Sequence, residues 1–290
     1  MTILFGLGAA LIYGAADFFG AVASKRLRPI LVTAVAACFG FAFSVFAAFS
    51  FGDLTQGANF TQTAILWGLV GGGFSAVGMT CLYAALAEGP ISIVSPLSAL
   101  VAALVPTIAG VAAGESFSFL AWVAIALVLI AVGLGGFVPS ADLSLPSLRG
   151  LALSVGAGIG IGVVMICLKQ PPAETGMATA ILIRAINAIV MVSVAAVMLA
   201  TRKAQPTEFA NLGGKIWVLL ALTGCSDAMA NVLFRASAFS GTLTIASVLT
   251  ALYPAGTILL ARFVLKEKVA TVQMVGIALA LVASVLLALA

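Results

Sequence analysis

Asp17, Arg184 and Asp227 are ionisable residues set deep inside apolar runs, and Asp227 belongs to a patterned stretch. Leu219–Ala238 reads LLALTGCSDAMANVLFRASA, with Asp227, Asn231 and Arg235 four residues apart. At about 100° per residue the three share one helix face, with Gly224 near it. A carboxylate at the middle of a membrane span is costly unless it is paired, protonated or wetted. Something must therefore face Asp227. Arg184 is the natural partner, because antiparallel packing of its run places it at the depth of Asn231. Asn187 lies near the same face. A guanidinium and carboxylates facing one cavity suit a zwitterion: Arg184 takes the carboxylate, and Asp227 or Asp17 takes an ammonium group or a proton. The alternative is a buried pair that only orders the bundle. The binding reading is preferred because intramembrane ions usually line a pathway.

Asp17 ends a stripe of Gly6, Ala10, Tyr13 and Asp17. Two readings stand side by side: a cavity wall with a protonatable carboxylate, or a packing face whose Asp reaches Lys25 and Arg26. Arg235 lies one turn from the end of its run and is expected to snorkel to the interface. Pro96 and Pro254 free the carbonyls of Ser92 and Thr250, four residues earlier. Helices broken at matched positions point to a midplane site, so the two prolines are expected to gate it. Ser95, Ser98, Ser247, Thr250 and Tyr253 offer hydroxyls nearby. The candidate binding set is Tyr13, Asp17, Arg184, Asn187, Asp227, Asn231, Thr250 and Tyr253. Glycine pairs such as Gly68 and Gly72, Gly110 and Gly114, Gly156 and Gly160, and Gly158 and Gly162 are expected to let helices approach closely. Glu115 and Glu267 fall in tight turns as caps or ion-pair partners.

These residues need elements to hold them. The chain has 290 residues, 63% hydrophobic and 8% charged, against roughly 45–50% apolar and about 25% charged in a soluble domain. A soluble fold is excluded, and continuous apolar runs exclude an outer-membrane barrel, whose strands alternate. Ten spans are expected. They run near Ile3–Ala23, Ile30–Phe51, Thr63–Ala87, Ile91–Ala113, Phe119–Phe137, Arg149–Leu168, Gly176–Ala200, Ile216–Ala238, Thr242–Leu265 and Thr271–Leu289. The first lacks a basic start and a cleavage site, so it reads as a retained helix. Loops are short, with no room for a catalytic or nucleotide-binding domain. Cys38, Cys81, Cys167 and Cys225 sit inside apolar runs without CxxC spacing and read as small hydrophobes. Histidine is absent, which removes His-based triads, haem ligation and the commonest metal ligands. No cofactor, metal or enzymatic activity is expected.

The two halves repeat. Gly89, Ile93, Ser95, Leu97 and Glu115 meet Gly241, Ile245, Ser247, Leu249 and Glu267 at one constant offset. At a slightly shorter offset Gly6, Leu7, Gly14 and Lys25 meet Gly150, Leu151, Gly158 and Lys169. The expected units are residues 1–138 and 149–290, each with five spans. An odd number per half makes the halves insert in opposite senses, a transporter architecture with its site at the repeat interface. The fold class is therefore an all-α polytopic membrane protein, two inverted five-helix repeats around a central cavity.

With this repeat, Pro254 to Glu267 followed by Gln273 and Gly276 resembles the pattern of the drug/metabolite transporter superfamily, in its EamA-type members with two repeats. The first half keeps Glu115 but has Ala121 and Ala124 in place of Gln273 and Gly276. Tyr13-Gly14 stands where that family often has Trp-Gly. The resemblance covers essentially the whole chain and implies a ten-helix secondary transporter, commonly an exporter of metabolites, amino acids or drugs.

Orientation divides the two lines of reasoning. Lys25, Arg26, Arg28, Arg149, Arg202, Lys203, Lys215, Arg262, Lys266 and Lys268 fall on the side of the odd-numbered loops, with Lys169 and Arg235 opposite and Arg184 embedded. The positive-inside rule places the odd loops in the cytoplasm and both termini outside. The resemblance implies both termini inside. The charge count is preferred. The net charge of +4 is explained by orientation, so nucleic acid is not an expected partner; the bilayer and a small solute are, with the chain acting as a monomer or homodimer. The expected function is alternating-access export of a small polar metabolite such as an amino acid across the plasma (inner) membrane, proton coupling included. A multidrug or lipid-linked sugar carrier is the alternative, disfavoured by three Trp and three Tyr, and a non-transporting scaffold is a further one.

Overall fold

Lipid offers the backbone no hydrogen bonds, so each span must satisfy its own, and the helix is the form that does so locally. The computed structural model describes residues 1–50, 59–88, 91–135, 147–201, 213–264 and 270–289. The helices are α1 (Thr2–Ser24), α2 (Pro29–Ser50), α3 (Gln62–Glu88), α4 (Ile91–Ala112), α5 (Phe119–Gly135), α6 (Leu148–Lys169), α7 (Ala178–Ala200), α8 (Gly214–Phe239), α9 (Leu243–Thr250), α10 (Tyr253–Val264) and α11 (Thr271–Leu289). No strand occurs among the described residues. Eight spans are long and apolar enough to cross a membrane, with Phe119–Leu134 and Thr271–Leu287 as shorter apolar helices. All ten expected spans are present. The expected ends at Phe51, Phe137 and Leu265 lie outside the described residues, as does Glu267.

The repeat is visible in how the helices pair. α1 lies along α8 as α6 lies along α3; α2 meets α8 as α7 meets α3; α1 crosses α9 and α10 as α6 crosses α4. Exchanging the halves leaves this pattern intact. Gly14 and Gly158, matched in sequence, do the same work. A methyl group on Gly14 would strike the backbone of Gly256 and Thr257 in α10, and one on Gly158 would strike the Ser98 carbonyl in α4. Gly78 and Gly160 press backbone to backbone, as do Gly40 and Gly224. Close approach of this kind supplies packing where lipid removes the hydrophobic driving force between helices.

Three expectations change. The ninth span breaks into α9 and α10 around Ala251 and Leu252, just before Pro254, whose missing N–H costs nothing in the first turn of α10. α4 instead runs unbroken through Pro96 and Pro106, so the breaks are not matched. Gly114 has φ +94° and closes α4 as a turn residue, while Gly110 lies against the Glu115 carboxylate and the Thr244 hydroxyl of α9; of that pair only Gly110 lets helices approach. Gly176, expected to begin the seventh span, is another left-handed turn residue at φ 53°. It follows a short 3-10 turn at Ala173–Thr175, and α7 starts at Ala178.

Candidate functional site

At mid-depth, α1, α3, α6, α7, α8 and α10 enclose a small cavity of about 30 Å³. Arg184 and Asp227 meet there as an ion pair, both nearly inaccessible to solvent. Arg184 Nη1 donates to Asp227 Oδ2, and Nη2 donates to the Asp227 carbonyl at 3.1 Å. The guanidinium is thus held through two of its nitrogens, the geometry that makes arginine the preferred buried cation. One turn along α8, Asn231 Oδ1 accepts from the Tyr13 hydroxyl. Tyr13 and Tyr253 stand with ring centroids 6.4 Å apart, and the Tyr253 hydroxyl is 2.9 Å from Ser98 Oγ on α4.

Asp17 differs from Asp227. It is 4% exposed, lines the same cavity, and its Oδ2 has no hydrogen-bond partner among the described residues. Lys25 and Arg26, the partners of the packing alternative, are exposed beyond the end of α1. A second, smaller cavity adjoins on the side of Arg184, Asn187 and Asp227, walled by Thr33, Ala36, Ala37, Met79 and Tyr83. Asn187 Nδ2 donates to Ser75 Oγ of the first cavity at 3.1 Å.

Six of the candidate binding residues therefore share one cavity: Tyr13, Asp17, Arg184, Asp227, Asn231 and Tyr253. Asn187 lines the adjoining one. Thr250 does not reach either: it is fully buried with its hydroxyl unpartnered among the described residues. Pro254 faces a separate crevice between α10, α5 and α11, and Pro96 is buried within α4. Arg235 does not snorkel. It turns away from the cavity to the end of α6, at 8% exposure.

The chain matches the profile of the EamA-like transporter family over residues 1–135 and again over 148–289. It belongs to that family. This transporter also shares its fold with a solved crystal structure of a protein described no further, at a TM-score of 0.74 and 15% identity, covering 99% of this chain and 96% of that one. At that identity the likeness concerns the fold alone. No curated protein matches.

Lining residues outside the sequence candidates include Ser75, Met79, Ile161 and Met165 and, at the adjoining cavity, Tyr83. A signal for three of them existed. Carrying Asp227, Asn231 and Arg235 back by the repeat offset that relates Glu115 to Glu267 lands on Ser75, Met79 and Tyr83. A cavity on a pseudo-twofold axis must be lined by equivalent positions from both halves, whatever residues occupy them. The tyrosine count also misled: all three tyrosines of the chain stand at these two cavities.

Proposed function

We propose that this transporter is a secondary active exporter of a small polar metabolite such as an amino acid, working by alternating access at the plasma membrane and exchanging its solute for protons. The observation that carries this reading is the contrast within one cavity between a closed ion pair and the Asp17 carboxylate, whose Oδ2 has no partner among the described residues. A carboxylate away from water and cations takes up a proton, and a bound ammonium group displaces it. Asp17 is the residue for that exchange. A substrate carboxylate competes with Asp227 for Arg184, and the released Asp227 joins Asp17 around the ammonium group. Free space of about 30 Å³ fits a water molecule or two, so this conformation is too tight for the solute. The two repeat units, 1–138 and 149–290, rock apart to admit solute, with the break before Pro254 as the pivot on one side.

The test is transport in proteoliposomes by Asp17→Asn, Arg184→Ala and Asp227→Asn. The expected result is loss of the response to a pH gradient in Asp17→Asn, and at least about a tenfold loss of flux in the other two, the size of effect seen when one hydrogen bond to a charged group is removed. Near-normal, pH-responsive transport in all three rejects the site. A second reading, a multidrug carrier of amine cations, draws on the three tyrosines, whose faces attract cations. An amino acid and its decarboxylated amine, offered in competition, separate the two.

A further inference from the structure

The walls of the central cavity are chemically unlike. Tyr13, Asp17, Asp227 and Asn231, on α1 and α8, form one wall; Met79, Ile161, Val164 and Met165, on α3 and α6, dominate the other, with Ser75 its one hydroxyl. The walls are repeat partners: Ile161 occupies the position of Asp17, and Met79 that of Asn231. A solute between them turns its charged end to the first wall and buries whatever else it carries against the second. We propose that the solute has an apolar side chain or tail, and that Met79, Ile161 and Met165 set its size. This deepens the proposed export function and rests on it. Methionine is unbranched and adapts to differently shaped neighbours, so the wall accepts a range of aliphatic groups and disfavours hydroxylated ones, whose polar atoms find there only Ser75, already bonded to Asn187.

The experiment is thermal stabilisation of the purified transporter by two probe series: glycine, alanine, norvaline and norleucine with serine as the polar control, and the straight-chain amines from ethylamine to hexylamine. The expected result is an apparent affinity that rises about fourfold per methylene, serine falling below alanine, with a flattened slope in Met79→Asn and Ile161→Thr. Binding with a flat slope in the wild type overturns the apolar wall and leaves the export reading standing. A rising slope in the amines alone keeps the wall and transfers the transporter to the multidrug reading. No binding in either series overturns both.

A separate observation concerns the face of the molecule that carries the start of α1. There α6 and α8 cap each other. Arg235 of α8 donates to the Leu168 carbonyl of α6 at 2.5 Å, and to Pro172 O and Thr175 Oγ1 at 3.3 and 3.1 Å. Lys169 of α6 donates back to the Ala238 carbonyl of α8 at 2.6 Å. Both cations lie 4.4 Å from the centroid of the Phe239 ring. The Leu168 and Ala238 carbonyls are last-turn carbonyls with no helical partner of their own, at the negative end of each helix. Glu115 completes the arrangement from the loop after α4, accepting from Leu243 N at 2.8 Å and Thr244 N at 3.1 Å at the start of α9. Thr2 ties α1 to the same place through Ser237 and Ser240.

On the opposite side the second, smaller cavity adjoins the first. Thr33 and Tyr83, which wall the second cavity, lie within five residues of the other ends of α2 and α3. The geometry points to Arg235, with Lys169 and Phe239, as a latch that holds the N-terminal face shut and must release once per transport cycle. The test is a transporter whose only cysteine is Ala246→Cys, buried on α9 behind the latch, labelled in proteoliposomes with a membrane-impermeant maleimide. Arg235→Met is expected to raise the labelling rate from the N-terminal side at least about tenfold, the population shift that follows from losing a charged hydrogen bond made only in the closed state. The double variant Lys169→Met with Thr175→Val removes the Lys169–Ala238 bond and one acceptor of Arg235 without touching the guanidinium, and moves the rate the same way. Unchanged labelling in whichever of these variants folds reduces Arg235 to a static staple and overturns the latch. Labelling needs no solute, so this outcome is independent of the export reading.

Discussion

The facing stretches Ser75–Met79–Tyr83 of α3 and Asp227–Asn231–Arg235 of α8 occupy equivalent positions in the two repeats and do unequal work. Ser75 accepts from a neutral amide, that of Asn187, whereas Asp227 accepts from the Arg184 guanidinium. Met79 offers the cavity a thioether where Asn231 offers an amide bonded to Tyr13. Tyr83 is fully buried with its hydroxyl unpartnered among the described residues, whereas Arg235 ties three elements together. The matched Lys25 and Lys169 diverge likewise, one exposed and one bonded to α8. The scaffold is therefore symmetric and the chemistry is not. The shared backbone makes a cavity on the axis, and sequence divergence gives that cavity a polar wall, an apolar wall and one stitched end.

The largest difference should come from the first pair of positions. Arg184→Met alone strands a buried carboxylate and is expected to cost about 3–5 kcal/mol, most of it recovered by adding Asp227→Leu; Asn187→Ala, which leaves only a serine hydroxyl, is expected to cost about 1 kcal/mol. Thermal unfolding in detergent measures both, and equal losses would erase the contrast. Next, Arg235→Met is expected to cost about 2–3 kcal/mol against less than about 0.5 for Tyr83→Phe, since only the first removes bonded donors. Gly14→Ala and Gly158→Ala probe the symmetric part: each crowds a helix backbone and should cost about 1–3 kcal/mol, equally within error. If only one is destabilised, the shared scaffold is not mechanically equivalent in its two halves. The smallest effect is expected from Arg149→Ala. Its ion pair with Glu88, 3.3 Å long, is largely solvent-exposed, so the loss should be at most about 1 kcal/mol and vanish at high salt.

Much of this was legible from composition and spacing. Ten apolar runs in a chain with few charges leave helices as the only spanning form, and matched Gly, Ser and Glu residues reveal the duplication. Asp17, Arg184 and Asp227 announce themselves because a charge inside a span needs a reason. Periodicity alone also put Asp227, Asn231 and Arg235 on one helix face. It misplaced Arg235, because its long side chain takes whichever partner is nearest, and that partner is the carbonyl end of α6, far away in sequence. It overlooked Met79, Ile161 and Met165, because an apolar residue in an apolar run carries no local mark of facing a cavity rather than lipid.

The sequence by itself determined the number and kind of spans, their duplication and the three ions that need company, since lipid forces helices and penalises isolated charge wherever the chain goes. Only the tertiary structure decided that Arg184 closes on Asp227 while Asp17 is left open, that the cavity is polar on one side and apolar on the other, and that one face is stitched shut. Those outcomes depend on which helix ends and side chains the pseudo-twofold axis brings together, and no local pattern encodes that distance.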